Sequence, residues 1–187
     1  MAPLCSALGI MNITDKQLVR AIYSTWDFQQ ALSALTFLLE DCDFGAKYSH
    51  VELRRFRCYE SNLIISMARP FETTRGGTTI GLRALGITLN QEQKTLVDRI
   101  LDLRRKIVAH SSEEEMHFRV STIPIEDGRF NLPHFQFNER LHLEEKELRQ
   151  LESFLRYLKS QMVEFFYKVA QEQPDLLDRY KEPTNFL

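Results

Sequence analysis

Cysteine is scarce in this chain, and neither sign of charge is in real excess. Three cysteines (Cys5, Cys42 and Cys58) give an odd count with no CxxC pair. That excludes a disulfide framework and a cysteine-built zinc site, and it fits a reducing compartment. Lys and Arg number 24 against 26 Asp and Glu, a formal net charge of -2. No global field therefore draws in nucleic acid, and any polyanion must be met by a local basic cluster. No apolar run approaches the roughly 20 residues of a membrane span. The opening MAPLCSALGIMN lacks a basic n-region and has too short an apolar stretch for a secretion signal. These absences predict a cytoplasmic protein with no membrane partner.

Several chemical signatures are missing too. ETTRGGTTIGLRALGITLN is glycine-rich, but no Gly-Lys-Ser/Thr follows the glycines, so it is a connector and not a phosphate-binding loop. No dinucleotide fingerprint, nucleophile triad or pair of catalytic carboxylates is present. His117, His134 and His142 have no metal-ligand spacing such as HxxxH, and Glu113, Glu114 and Glu115 resemble a solvated loop. Neither a metal nor a cofactor is expected.

What remains is 187 residues of ordinary globular composition, 43% hydrophobic, without internal repeats or a domain-sized linker. This predicts a single domain over 1–187. Thr14 and Gln17 form a capping-box pattern ahead of a helix reaching about Leu39. A second helix runs from about His50 to Phe71, with Pro70 marking its end. Asn90 starts a third. The period then drops to two around Asp127-Gly128, which predicts a hairpin over 116–138, and Pro124 and Pro133 confine its strands to an edge or an excursion. A last helix from about Leu143 to Gln171 carries Leu148, Leu151, Leu155, Leu158, Met162, Phe165 and Val169 at alternating spacings of three and four. That stripe belongs in a core, with a dimer contact as its sharper alternative. The fold class is all-α: an up-down bundle of about four long helices with a small β-hairpin inserted before the last. Residues 1–12 form a loose extension and 174–187 a peripheral tail.

One cation sits in the wrong place. At about 100° per residue, Leu96, Val97, Ile100, Leu101, Leu103, Ile107 and Val108 form one arc of the third helix, and Arg104 falls inside it. Arg105 lies at the border and Lys106 opposite. A buried guanidinium needs a partner, because its charge cannot be removed by deprotonation. The same projection places Glu60 within the apolar arc of the second helix, beside Phe56, Tyr59, Leu63, Ile64, Met67, Ala68 and Phe71. A Glu60–Arg104 pair across two packed helices is the expected partnership, and as structure it fixes their register.

The stretch LRRKIVAHS resembles the signature of the HEPN superfamily, an arginine followed after four to six residues by a histidine. Arg104 takes the arginine position and His110 the histidine. YESNLIISMARPF is similar to the second helix of abortive-infection-like HEPN proteins, and the order of elements fits over most of residues 14 to 172. The resemblance implies a metal-independent endoribonuclease of defence or toxin type acting as a homodimer. Its products would be 2′,3′-cyclic phosphate and 5′-hydroxyl ends, formed at a composite cleft by Arg104 and His110; Arg105 beside the motif and Glu60 from the helical projection are the supporting candidates. A regulatory or antitoxin protein is a further implied partner, and no DNA specificity is implied. The chain departs from the family at Arg105, where Asn, Asp or His is usual. The resemblance also carries an alternative, a non-catalytic HEPN-like module that binds RNA, a nucleotide or a protein. A plain helical assembly protein, with Arg104 and Glu60 structural, is a third reading.

Overall fold

Reciprocal capping boxes start the first three long helices, so each entry is fixed locally by its own side chains. α1 (Asp15–Asp41) follows Thr14 and Gln17, α2 (His50–Ala68) follows Ser49 and Glu52, and α3 (Gln91–Leu103) follows Asn90 and Gln93. At α4 (Glu145–Glu172) the Glu147 carboxylate accepts the Glu144 N–H at 2.8 Å. The computed structural model describes residues 13–72, 82–108, 118–125, 129–137 and 139–180. The expected extension (1–12), residues 73–81 of the glycine-rich connector and the segment carrying His110 and His117 lie outside these.

The described residues are mostly helical, with one two-stranded sheet before the last long helix. α1 packs against both α2 and α4, and α2 packs against α3. Leu18, Ala21, Phe28, Ala31, Leu35 and Leu38 of α1 meet Phe56, Leu63, Ile64 and Met67 of α2 in one apolar cluster. All seven residues of the α4 stripe are buried in that cluster, so the stripe is core. α1 and α4 run antiparallel: Lys159 reaches Gln29 at 2.8 Å, and Arg179 reaches Asp15 at 2.8 Å. Pro70 ends α2 as expected, in a 3-10 turn over Arg69–Phe71. A short α5 (Pro174–Asp178) follows α4 with no buried residue. Among the described residues, no helix is long and apolar enough to cross a membrane.

β1 (Phe118–Ile125) and β2 (Phe130–Phe137) form an antiparallel hairpin in the register Phe118↔Phe137 to Ile125↔Phe130. Every residue of both strands is exposed. With two strands there is no central position, which is where Pro124 and Pro133 can be accommodated. The two prolines face Asn131 and Thr122, two steps apart in register and of the same parity. A ladder whose hydrogen bonds fall on the other parity spares both, and turns the missing donors toward the outer edges.

Candidate functional site

The third helix changes its winding at the motif. α3 ends at Leu103, and Arg104–Val108 continue as a π-helical turn. A π turn advances each residue by less than the 100° of an α-helix, so the projection holds to Leu103 and drifts beyond it. Leu96, Val97, Ile100 and Leu103 are buried, as projected. Past them the outward order is corrected: Arg105 is the exposed residue, while Lys106 is partly covered and pairs with Asp102 at 3.2 Å. Such turns are rare and recur at functional sites.

Arg104 is held, but not by Glu60. Its Nη1 donates to the Glu72 carboxylate, with both oxygens at 2.6 Å. The two side chains are 32% and 19% exposed, so the pair lies at the edge of solvent. Glu72 sits just past the turn that ends α2, and its N–H returns to the Arg69 carbonyl at 3.4 Å. Arg20 of α1 donates to the same carbonyl, and the Arg69 guanidinium reaches Asp27 of α1 at 3.2 Å. Asp27 is buried; desolvation raises its carboxyl above the usual range, opposed by the nearby Arg69 and Arg20 cations. Three arginines against two carboxylates leave one positive charge in excess, and exposed Arg105 adds a second. That modest local excess suits a phosphate despite the acidic chain.

Glu60 does something else, and the expected pairing with Arg104 is corrected here. Its Oε1 accepts the N–H of His142 at 2.7 Å and of Leu143 at 2.8 Å, just ahead of α4. Only 1% of the residue is exposed. Burial pushes its carboxyl up to about 7, against the two amides and the Arg57 and Arg99 charges. Arg99 of α3 closes the same junction, donating to the His142 carbonyl at 3.1 Å. Glu60 lies about 12 Å of helix rise below the end of α2, and the residue that meets Arg104 is Glu72, just past that end. Glu60 ties α2 to the entry of α4 and takes no part in the arginine cluster.

Glu72, Asp27, Arg69 and Arg20 escape notice in the sequence. Asp27 had a usable signal: it adjoins Phe28 on the buried side of α1, the same anomaly that singled out Glu60. Glu72 had none, because it opens a connector with no period. His110 and Glu113 to Glu115 lie outside the described residues. No group of three or more His, Cys, Asp or Glu suited to a metal occurs among the described residues. A groove of about 670 Å³ lies at the other end of α3, lined by Asn90, Leu96, Glu145 and Arg149 among others. A second concavity of about 570 Å³ runs along the exposed face of α2 past Arg57 and Asn62. Neither touches Arg104. No known protein family, curated protein or solved structure matches the chain.

Proposed function

We propose that the chain is a HEPN-like metal-independent endoribonuclease of defence or toxin type, working in the cytoplasm as a homodimer with its four long helices as an up-down bundle. The single observation that supports this most is Arg104: a half-buried guanidinium on a π turn, oriented by Glu72, six residues before His110. Glu72 occupies Nη1, which leaves Nε and Nη2 without a partner among the described residues. Those two donors make a fork suited to the non-bridging oxygens of a phosphodiester. The reaction needs no external nucleophile. The ribose 2′-oxygen bonds to the adjacent phosphorus as one histidine takes its proton, and the 5′-oxygen leaves as a second histidine supplies one, so the protons balance. Histidine as a residue type titrates near neutrality and suits that transfer, and Arg104 stabilises the added negative charge on phosphorus. One histidine does not serve both sides of an in-line displacement, so two copies share one cleft. An antitoxin or other regulatory protein would control such a nuclease.

The alternative, a non-catalytic HEPN-like module that binds RNA, a nucleotide or a protein partner, draws on a different observation. Arg105 replaces the usual hydrogen-bond acceptor, is exposed, and has no ion-pair partner among the described residues. It can grip phosphate but cannot orient a neighbour. Incubating the purified chain and a His110→Ala variant with RNA in excess EDTA separates the two. Cleavage by the parent alone, with cyclic phosphate ends, is expected. RNA binding without cleavage by either protein leaves the module, and equal cleavage by both overturns the role of His110.

A further inference from the structure

The hairpin is the least self-sufficient part of the molecule. It exposes eight large apolar side chains: Phe118, Val120, Ile123, Ile125, Phe130, Leu132, Phe135 and Phe137. An isolated two-stranded hairpin is marginal in water, and a contiguous apolar surface of this size marks a contact. Register sorts these residues into two groups. Phe118, Val120, Phe135 and Phe137 share one face at the base, where the Phe118 and Phe137 rings lie 6.4 Å apart. Ile123, Ile125, Phe130 and Leu132 share the opposite face at the tip. The apolar surface thus changes sides midway along the arm.

A second unpartnered surface lies on the helices. Ile22 and Trp26 fall within about 60° of Gln29 on α1, and Val163 and Tyr167 within about 80° of Lys159 on α4. Gln29 and Lys159 are hydrogen-bonded across the seam, and the helices run antiparallel. The two pairs therefore flank one outer seam, and all four residues are exposed, from 39% at Ile22 to 69% at Val163.

We infer that these surfaces meet between two copies of this chain, which exchange hairpin arms: the tip group of each arm seats on the α1–α4 seam of the other, and the base groups stack where the arms cross. The switch of apolar face selects this arrangement. An arm lying flat on one partner needs a single apolar face, whereas a crossing arm meets its symmetry mate on one face and its partner's body on the other. Charge points the same way, since residues 118–137 hold two arginines, one glutamate and one aspartate. That neutral balance offers RNA nothing and suits a dry protein contact. Each strand spans about 26 Å, enough to cross a helix pair. Four half-exposed side chains on each surface give a total of roughly 1,500 Å² for two tip–seam contacts, the area of an ordinary stable dimer.

The exchange goes beyond the nuclease reading, which requires a dimer without saying what holds it. Its test is association, scored apart from RNA cleavage. Trp26 is the only tryptophan of the chain and flanks the seam, so its emission reports docking there. Sedimentation of the full chain should show a dimer, and Trp26 emission should move to the blue as concentration rises. Leu132→Asp at the tip and Val163→Asp in the seam alter exposed positions, and circular dichroism checks that both fold. Each should weaken association by at least about tenfold. An equimolar mixture of the two variants should associate more tightly than either alone, because the heterodimer keeps one intact arm–seam contact. A parent chain that stays monomeric at about 100 µM overturns the proposal. So does a Leu132→Asp protein that dimerises like the parent, or a mixture that recovers nothing.

Discussion

Glu60 should make the protein less stable as pH rises, against the usual trend for a carboxylate in an ion pair. Its folded-state pKa of about 7 stands above the ordinary 4.5. Below about pH 4.5 both folded and unfolded chains hold the proton. Between about 4.5 and 7 only the folded chain holds it, so stability falls as pH rises through that window and then levels off. The gap of about 2.5 units amounts to about 3 kcal/mol. Glu60→Gln keeps an oxygen for the His142 and Leu143 amides but removes the ionisation. Its stability relative to the parent should therefore rise by about 3 kcal/mol between pH 4.5 and 8. Glu60→Leu instead leaves the His142 and Leu143 amides without their acceptor and should be about 2 to 4 kcal/mol less stable than Glu60→Gln at every pH. Urea unfolding across that range measures all three proteins, and the comparison between them cancels the titration of the other groups. Parallel pH profiles for parent and Gln variant would refute the assignment, as would a Leu variant as stable as the Gln variant.

The α4 stripe and the arginine cluster carry the remaining expectations. Leu155 is fully buried, and Leu155→Ala should lower stability by about 2 to 5 kcal/mol in urea unfolding; a loss below about 1 kcal/mol would mean the stripe is not the core. Glu72→Gln removes one charge of a pair at the edge of solvent and should cost on the order of 1 kcal/mol of stability. It also leaves the Arg104 charge uncompensated, so the salt dependence of RNA binding should steepen. Arg104→Ala should flatten that dependence by about one phosphate contact. Unchanged slopes in both variants would remove Arg104 from the phosphate grip.

Helix starts were the most legible feature because their causes are local. Thr14 with Gln17 and Asn90 each act within four residues, and the structure begins helices at both. The α4 stripe was legible for a related reason, since one period over 28 residues leaves a single buried face. Periodicity also identified Glu60 and Arg104 as charges on apolar arcs, and both are covered, one fully and one in part. It failed on their partners. Pairing is a tertiary fact that depends on where α2 stops and how α3 is wound. The two carboxylate oxygens that hold Arg104 come from Glu72, past the last helical turn, where no period exists. Likewise the projection assumed one winding through Val108, and the π turn shifted Arg104, Arg105 and Lys106 from their projected places.

The same contrast explains why the hairpin was recognised as structure but not as surface. Alternation announces a strand, and strict alternation predicts one apolar face and one wet face. Here the apolar positions keep a period of two but change phase between Val120 and Ile123 on β1, and between Leu132 and Phe135 on β2. A strand buried against a single core has no use for such a phase change, because a one-residue shift moves every side chain to the other face. Both strands change phase at matching register, so the change belongs to the arm as a whole. It divides an exposed hairpin into two contact surfaces facing opposite ways. Two copies crossing arms supply an occupant for each surface.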